Sequence, residues 1–346
     1  MDFPPSSAES SAGMHRLLLP LLSALATLAA GFLLVREAEA WGFIDHPDPR
    51  KVHTMATPRT GGLAMVLGGG LVFLASVTLG WLPWPALPWQ TWLAGLGFIT
   101  VGILDDRFSF HPREKVVSLL SLSALAAWPW VLVLQAVGVP WLPQGWLASP
   151  MLLVAAFALL TFWFMAVPNA VNIEDAINGY MGGYTWIVLL ALCLRGVDTR
   201  LALGALLGFL LLNWPKAKHF MGDAGSFGCG FLLAEAILRG GGLAHPFMAL
   251  AFTAPISLDV AMGLIRRRRL RMSFFTADRA TCPHHVLKLM GENTILATAL
   301  LWLNAAAFSW PNRRPLLVLG QALLYVAALV FLNRQFLFSS RLKAAE

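Results

Sequence analysis

The stretch LALGALLGFLLLNWPKAKHFMGDAGSFGCGFLLAEAIL, residues 201–238, decides how this chain folds. Two apolar runs flank a short polar segment in which Asp223 sits between Gly222 and Gly225. An acid costs roughly 2.5–3.5 kcal/mol at the centre of a membrane helix on insertion scales, so an acid bordering such runs calls for a cavity or a partner. Asp223 or Ser226 would serve to cap the helix that follows. The N–H groups of that helix's first turn would equally suit a phosphate, with the glycines allowing close approach.

The same alternation runs along the whole chain. Of its 346 residues, 58% are hydrophobic and 12% charged, against about 25% charged in a soluble domain. Eleven apolar runs lie near 17–35, 62–83, 90–104, 116–138, 150–168, 182–194, 200–213, 226–239, 246–265, 294–310 and 315–333. They predict an all-α polytopic membrane protein with about eleven transmembrane helices. A β-barrel would show short alternating strands instead. The longest connection, 266–293, is too short for a soluble domain, so 1–346 reads as one integral membrane domain with its motifs in about 40–290. Cys193, Cys229 and Cys282 form neither a CxxC nor an even framework, which argues against disulfides and a cysteine metal site. The net charge of +7 reads as loops facing anionic lipid in a bilayer rather than as nucleic-acid binding. Ala38-Glu39-Ala40 matches a signal-peptidase pattern, but only Arg16 precedes the first run, so the run is read as retained.

Lysine and arginine set an orientation. With the N-terminus outside and the runs alternating, the inner segments hold 19 of these residues and the outer ones 6. That bias places the C-terminus in the cytoplasm and supports an odd number of crossings. It also places five polar islands on one face: DHPDPRKVHTMATPRTGG (45–62), GILDDRFSFHPREK (102–115), PNAVNIEDAINGYMGG (168–183), NWPKAKHFMGDAGS (213–226) and FFTADRATCPHHVLK (274–288). Outer connections such as LPWPALPW are bland.

Each island has a bland reading and a chemical one. Asp105 and Asp106 are adjacent carboxylates that raise each other's pKa unless a cation or basic partner relieves them. Mg²⁺ takes one or two carboxylates plus phosphate oxygens and water; a solvated pair, or pairing of Asp106 with Arg107, is the alternative. Asn169, Asn172, Asp175 and Asn178 recur every third residue, so on a helix they would line one polar stripe. Such a stripe suits a base, sugar or phosphate, or else glues helices together. Arg50, Lys51, His53 and Arg59 supply cations of the kind that meet pyrophosphate, or simply anchor the inner face. The run RRRRLR (266–271) reads as anchoring. His284 and His285 are adjacent rather than at the i,i+4 spacing of helical metal ligands, which favours phosphate contact or packing.

In order, RKVH…TPRTGG, GILDDR, NAVNIEDAING, NWPKAKHFMGDAGS and DRATCPHHVL resemble the motifs of the polyprenyl-phosphate N-acetylhexosamine-1-phosphate transferases, bacterial glycosyltransferase family 4. This family includes the lipid I translocase of peptidoglycan synthesis and the initiating transferases of O-antigen and enterobacterial common antigen. Eleven runs look more like the latter branch. The resemblance implies that undecaprenyl phosphate attacks a UDP-N-acetyl sugar at the bacterial inner membrane, releasing UMP and starting a lipopolysaccharide or related polysaccharide. Mg²⁺, or Mn²⁺ in its place, is the implied cofactor, held by Asp223 and Asp106. Asp105 or Asp106 is implied as base or as the group that positions the lipid phosphate. Lys51, His53, Lys115, Asn169, Asn172, Asp175, Asn178, Asn213, His284 and His285 are implied on the substrates, and a homodimer is compatible with the family. Two departures stand out: Ala176 replaces a glycine after Asp175, and Thr281-Cys282-Pro283 replace the leading histidine of the histidine motif. They bear on sugar choice and activity. Rival readings are a silent lipid-binding scaffold and a transporter, the latter disfavoured because the polar groups sit at run ends rather than mid-membrane.

Overall fold

The structure, a computed structural model, describes residues 7–47, 55–143, 145–273, 281–310 and 315–343. It is all-α apart from a two-residue ladder. Its helices are α1 (Ser7–Trp41), α2 (Gly61–Thr78), α3 (Trp89–Phe108), α4 (Pro112–Val137), α5 (Pro150–Glu174), α6 (Tyr180–Cys193), α7 (Arg200–Asn213), α8 (Gly222–Ile237), α9 (Pro246–Arg269), α10 (Cys282–Leu289), α11 (Thr294–Ser309) and α12 (Pro315–Lys343). The strands β1 (Ile44–Asp45) and β2 (Thr57–Pro58) pair antiparallel, Ile44 opposite Pro58.

Local signals account for many boundaries. Prolines open α4, α5 and α9, where the missing N–H costs nothing. His111 and Glu114 form a capping box at α4, and Asn293 caps α11. Ser109 ends α3 in the left-handed region (φ 53°).

Each of the eleven apolar runs coincides with one helix, and α10 is an additional short one. The ends differ from the sequence reading: α3 runs on through Asp105 and Asp106, α5 runs on to Glu174, and α8 starts at Gly222 rather than 226. Among the described residues, five helices are long and apolar enough to cross a membrane: Leu18–Trp41 within α1, α2, α4, α5 and α9. Helices α6 and α7 have 14 residues each, about 21 Å at 1.5 Å per residue, short of a ~30 Å hydrocarbon core. Large apolar side chains cover the outside: Leu71, Leu159 and Leu303 are each about two-thirds exposed. The chain is a multi-pass helical membrane protein.

Helix α8 is the hub. It packs on α2, α3, α5 and α6, and Phe227, Ala234 and Ile237 are fully buried. Phe231 stacks on Phe98 of α3 (5.4 Å between ring centres) and meets Phe164 of α5 (5.8 Å). Glycines let backbones touch here. A Cβ on Gly62 would overlap the backbone at Gly225, one on Gly102 the backbone at Ala224, and one on Gly230 Cα of Pro168. The segment before α2 adds backbone bonds to the turn before α8: Phe220 N–H to Pro58 O (2.7 Å), Gly61 N–H to Phe220 O (2.9 Å) and Gly62 N–H to Met221 O (2.8 Å).

This packing sets a stability test. Gly102→Val should destabilise by about 1–3 kcal/mol or more through overpacking and lower the apparent melting temperature in detergent. Gly70→Ala, where an added Cβ has nothing within 4 Å, should leave it unchanged.

Candidate active site

The polar islands converge at one end of α8. Asp223 lies in its first turn, and the helix has no side-chain cap of its own. The sequence reading of Asp223 or Ser226 as that cap is corrected. The Asp223 carboxylate reaches sideways instead: Lys115 Nζ donates to Oδ2, and Asn172 Nδ2 donates to Oδ1 at 2.8 Å. Asn172 also donates to Ser226 Oγ at 2.8 Å.

The cap comes from α3. Asp106 Oδ2 accepts the Ala224 N–H at 3.0 Å, so one of the N–H groups offered to a phosphate in the sequence reading is taken by a side chain. Gly222 has φ +69°, and a Cβ there would stand 2.6 Å from Asp106 Oδ2, so only glycine serves this turn. Asp106 Oδ1 is buried and makes no hydrogen bond among the described residues, with Arg59 Nη1 3.9 Å away. Arg59 is paired with Asp45 of β1. The adjacent acids thus face different partners, as the ~100° step of a helix dictates. Asp105 accepts from Lys115 Nζ at 2.9 Å and from the Phe110 N–H at 2.9 Å. Lys115, implied on a substrate phosphate, bridges two carboxylates. Arg107 lies over the Phe108 ring at 5.2 Å rather than against Asp106.

These groups border a cavity of about 510 Å³ whose wall includes Asp45, Arg59, Asp106, Asn172, Asp175, Ala176, Asn178, Asn213, Asp223 and His284. All come from, or border, segments that the charge count puts on the inner side. Burial, then the charge of Asp223, pushes Asp106 up to about 7, against the opposing backbone hydrogen bonds and Arg59. Burial, then Asp223 and Asp106, pushes Asp175 up to about 7. Asp105 is raised too, chiefly by burial. Burial opposes ionisation of Asp223 as well, but its coupling to Asp105, the charge and hydrogen bond of Lys115 and the hydrogen bond from Asn172 outweigh it and hold this carboxyl below its usual range.

The stripe of four is corrected. Helix α5 ends at Glu174, so Asp175 and Asn178 line the cavity from the turn beyond it. Asn169, four residues from Met165, donates to that carbonyl at 2.7 Å and stays on its own helix. Asn213 borders the cavity, but its amide is spent on the backbone, accepting from Gly179 N–H (2.6 Å) and donating to His219 O (2.9 Å). Asn178 Nδ2 donates to Pro215 O at 3.3 Å. Ala176 is not among the positive-φ residues; its N–H bonds Glu174 O at 2.7 Å. The backbone here accepts alanine where the family has glycine. Of the histidine pair, His284 lines the cavity and His285, one helical step on, does not. Lys51 and His53, with Arg50, Asp278 and Arg279, lie outside the described residues. The run of arginines divides: Arg266 and Arg267 are buried, while Arg268, Arg269 and Arg271 are exposed, so only the latter three suit surface anchoring. Asp45 was missed because its role depends on pairing across the β1–β2 ladder; Asp45 and Arg59 are both in the quoted island, but their spacing carries no helical signal.

Among the described residues no three His, Cys, Asp or Glu side chains form a metal cluster. The donor set that does converge, Asp106 and Asp223 with Asp175 beside them, is carboxylate oxygen.

A membrane-embedded helical hub bearing an acidic cavity is the class this chain defines. Residues 89–241 match the model of "Glycosyl transferase family 4". The chain is 34% identical over 311 residues to the phospho-N-acetylmuramoyl-pentapeptide-transferase of a Synechococcus species, covering 79% of this chain and 84% of that one. It is 29% identical over 334 residues to the decaprenyl-phosphate N-acetylglucosaminephosphotransferase of Mycobacterium tuberculosis (84% and 80%). It is also 29% identical over 328 residues to the undecaprenyl-phosphate alpha-N-acetylglucosaminyl 1-phosphate transferase of Yersinia pestis (89% and 85%). The chain belongs to glycosyl transferase family 4, the polyprenyl-phosphate N-acetylhexosamine-1-phosphate transferases.

The Lys115 bridge is testable without substrate. Lys115→Met leaves Asp105 and Asp223 without their cation. The cost should be on the order of 2 kcal/mol, below the ~3–5 kcal/mol of a fully buried pair because Lys115 is 23% exposed. Adding Asp105→Asn should recover part of the loss in apparent melting temperature.

Proposed function

We propose that the chain transfers an N-acetylhexosamine 1-phosphate from a UDP-sugar to undecaprenyl phosphate, releasing UMP and leaving undecaprenyl-pyrophosphoryl-sugar in the bacterial inner membrane. The reading extends to initiation of O-antigen or a related surface polysaccharide, and to eleven crossings with the N-terminus outside and the site facing the cytoplasm. One observation carries it. Asp106, Asp175 and Asp223 line one cavity, with Arg59 on its wall and Lys115 bonded to Asp223 as the cations beside them among the described residues, and two of the three carboxyls are pushed up to about 7. Such an excess of negative charge is relieved by a divalent cation.

The residues fit Mg²⁺, or Mn²⁺ in its place. Asp106 Oδ1 is buried without a hydrogen bond, and hard carboxylate oxygens with phosphate oxygens are the set Mg²⁺ prefers. Asp106 and Asp223 would hold the ion, with Asp175 next to them. The ion supplies charge neutralisation where two anionic substrates meet. The protein's own groups do the positioning. Asn172 and Lys115 fix the Asp223 carboxylate from two sides. Asp106, tied to the α8 backbone through Oδ2, would offer its second oxygen to the ion. Asp175, Ala176 and Asn178 form the wall suited to the nucleotide-sugar, and His284 lines the same cavity. The lipid phosphate is already largely ionised at neutral pH, so Asp105, bound to Lys115, serves to position it rather than to remove a proton. Positioning and electrostatics then provide most of the acceleration.

The test is an assay of membranes carrying the chain, with undecaprenyl phosphate, Mg²⁺ and a panel of UDP-N-acetyl sugars, scoring UMP and labelled lipid. One sugar should give lipid product. EDTA should abolish it and added Mg²⁺ restore it. Asp223→Asn should lower turnover by about 10²–10³. Folded protein inactive with every sugar would overturn the transferase reading.

A further inference from the structure

The short helix that bears His284 is held by a cap it does not supply itself. Helix α10 begins after Thr281, whose backbone has the extended geometry of an N-cap (φ −81°, ψ 157°). A threonine there ordinarily turns its hydroxyl to the N–H groups of the first turn. Thr281 makes no such bond; its Oγ1 lies 2.8 Å from Nδ1 of His284. The Cys282 N–H is taken instead by Oδ2 of Asp259, on α9, at 2.6 Å. Asp259 is 2% exposed and Cys282 5%. In such a dry setting a carboxylate accepting a backbone N–H makes a strong bond, and its charge also suits a helix N-terminus.

Two things follow from these contacts. The start of α10 is fastened to α9, a helix of 24 residues, so its place does not rest on the connecting segment alone. The Thr281 hydroxyl, which caps neither the N2 nor the N3 position, meets the imidazole of a residue that lines the cavity. Asp259 itself is not part of the cavity wall.

We infer that Asp259 is a positioning residue for the site: by capping α10 from α9 it sets where His284 stands on the cavity wall. The kinetic consequence rests on the transferase reading above; the structural consequence does not.

The test uses the full chain in membranes, with Asp259→Ala, Asp259→Asn, His284→Ala and the Asp259→Ala/His284→Ala double variant. Maleimide labelling of Cys282, read by mass spectrometry of its peptide, reports whether the start of α10 is docked. Asp259→Ala should speed labelling about tenfold, the effect of losing a cap bond of ordinary strength. Asp259→Asn, whose amide oxygen still accepts, should speed it less; both variants lose the charge beside the thiol, so the difference between them reads the bond, and Asp259→Ser, too short to reach, takes the place of Asp259→Ala if that variant does not fold. Turnover should fall about tenfold in Asp259→Ala, and the double variant should be no slower than His284→Ala alone. Unchanged Cys282 labelling in the Asp259 variants would overturn the cap, and additive losses would overturn the route through His284. A wild-type protein without lipid product would sink the transferase reading, while the labelling would still decide whether Asp259 holds α10.

Discussion

The site depends on how closely other helices approach the backbone at the start of α8. Asp106 reaches the Ala224 N–H only because Gly102, one helical turn earlier on α3, has no Cβ to hold the two helices apart. Gly62 does the same for α2, and Gly230 against Pro168 for α5. Membrane helices gain little from apolar burial against one another, so close backbone packing at small residues is the available source of association. Here that contact also brings Asp105, Asp106, Lys115 and Asn172 to within bonding distance of one short stretch of α8 or of each other's partners. The residues that hold the fold together are therefore neighbours, in sequence, of those that hold the site.

Adjacent acids at a helix end would be unfavourable if both faced the same space. Asp105 and Asp106 do not. Asp105 takes Lys115 and the Phe110 N–H; Asp106 takes the α8 backbone and lies near Arg59. Each cation is itself shared with a second acid: Lys115 with Asp223, and Arg59 with Asp45. Burial first, and then the charge of Asp223, makes Asp106 and Asp175 hard to ionise, and among the described residues the shared cations do not offset it. An internally neutral set of pairs would make a stable helix bundle. A set left short of positive charge gains further when a cation enters, and the cavity gives it a place to do so.

Much of this was legible in the sequence. Eleven apolar runs mark eleven helices, because hydrophobic length needs no tertiary knowledge to be read. The acids, Asn172 and His284 stand out as polar residues where apolar ones are expected. The misses share a cause. Asn169, Asn172, Asp175 and Asn178 read as one stripe only if the helix continues, and it stops at Glu174, with the turn beyond set by tertiary bonds such as Asn213 to Gly179. Asn213 looked like a ligand because its amide's backbone partners come from two other segments. Asp45 was not singled out because its partner, Arg59, is brought to it by a ladder of two residues. What a residue type offers is local information; which donor has already claimed it is not.

Two of the helices that begin at the site, α8 and α10, take a cap from another helix, and this has a chemical consequence. An N-terminus needs acceptors for its first N–H groups, and the nearest side chains in sequence, Asp223 at α8 and Thr281 at α10, are the residue types that would ordinarily supply them. Had they done so, the Asp223 carboxylate would be folded onto its own helix, and the Thr281 hydroxyl would not meet His284. Asp106 and Asp259, reaching across from α3 and α9, satisfy the backbone instead. The local side chains are left to address Lys115 and Asn172 in one case and an imidazole in the other. Fold and site thus compete for the same few polar groups, and borrowing caps from neighbouring helices lets one set of residues serve each.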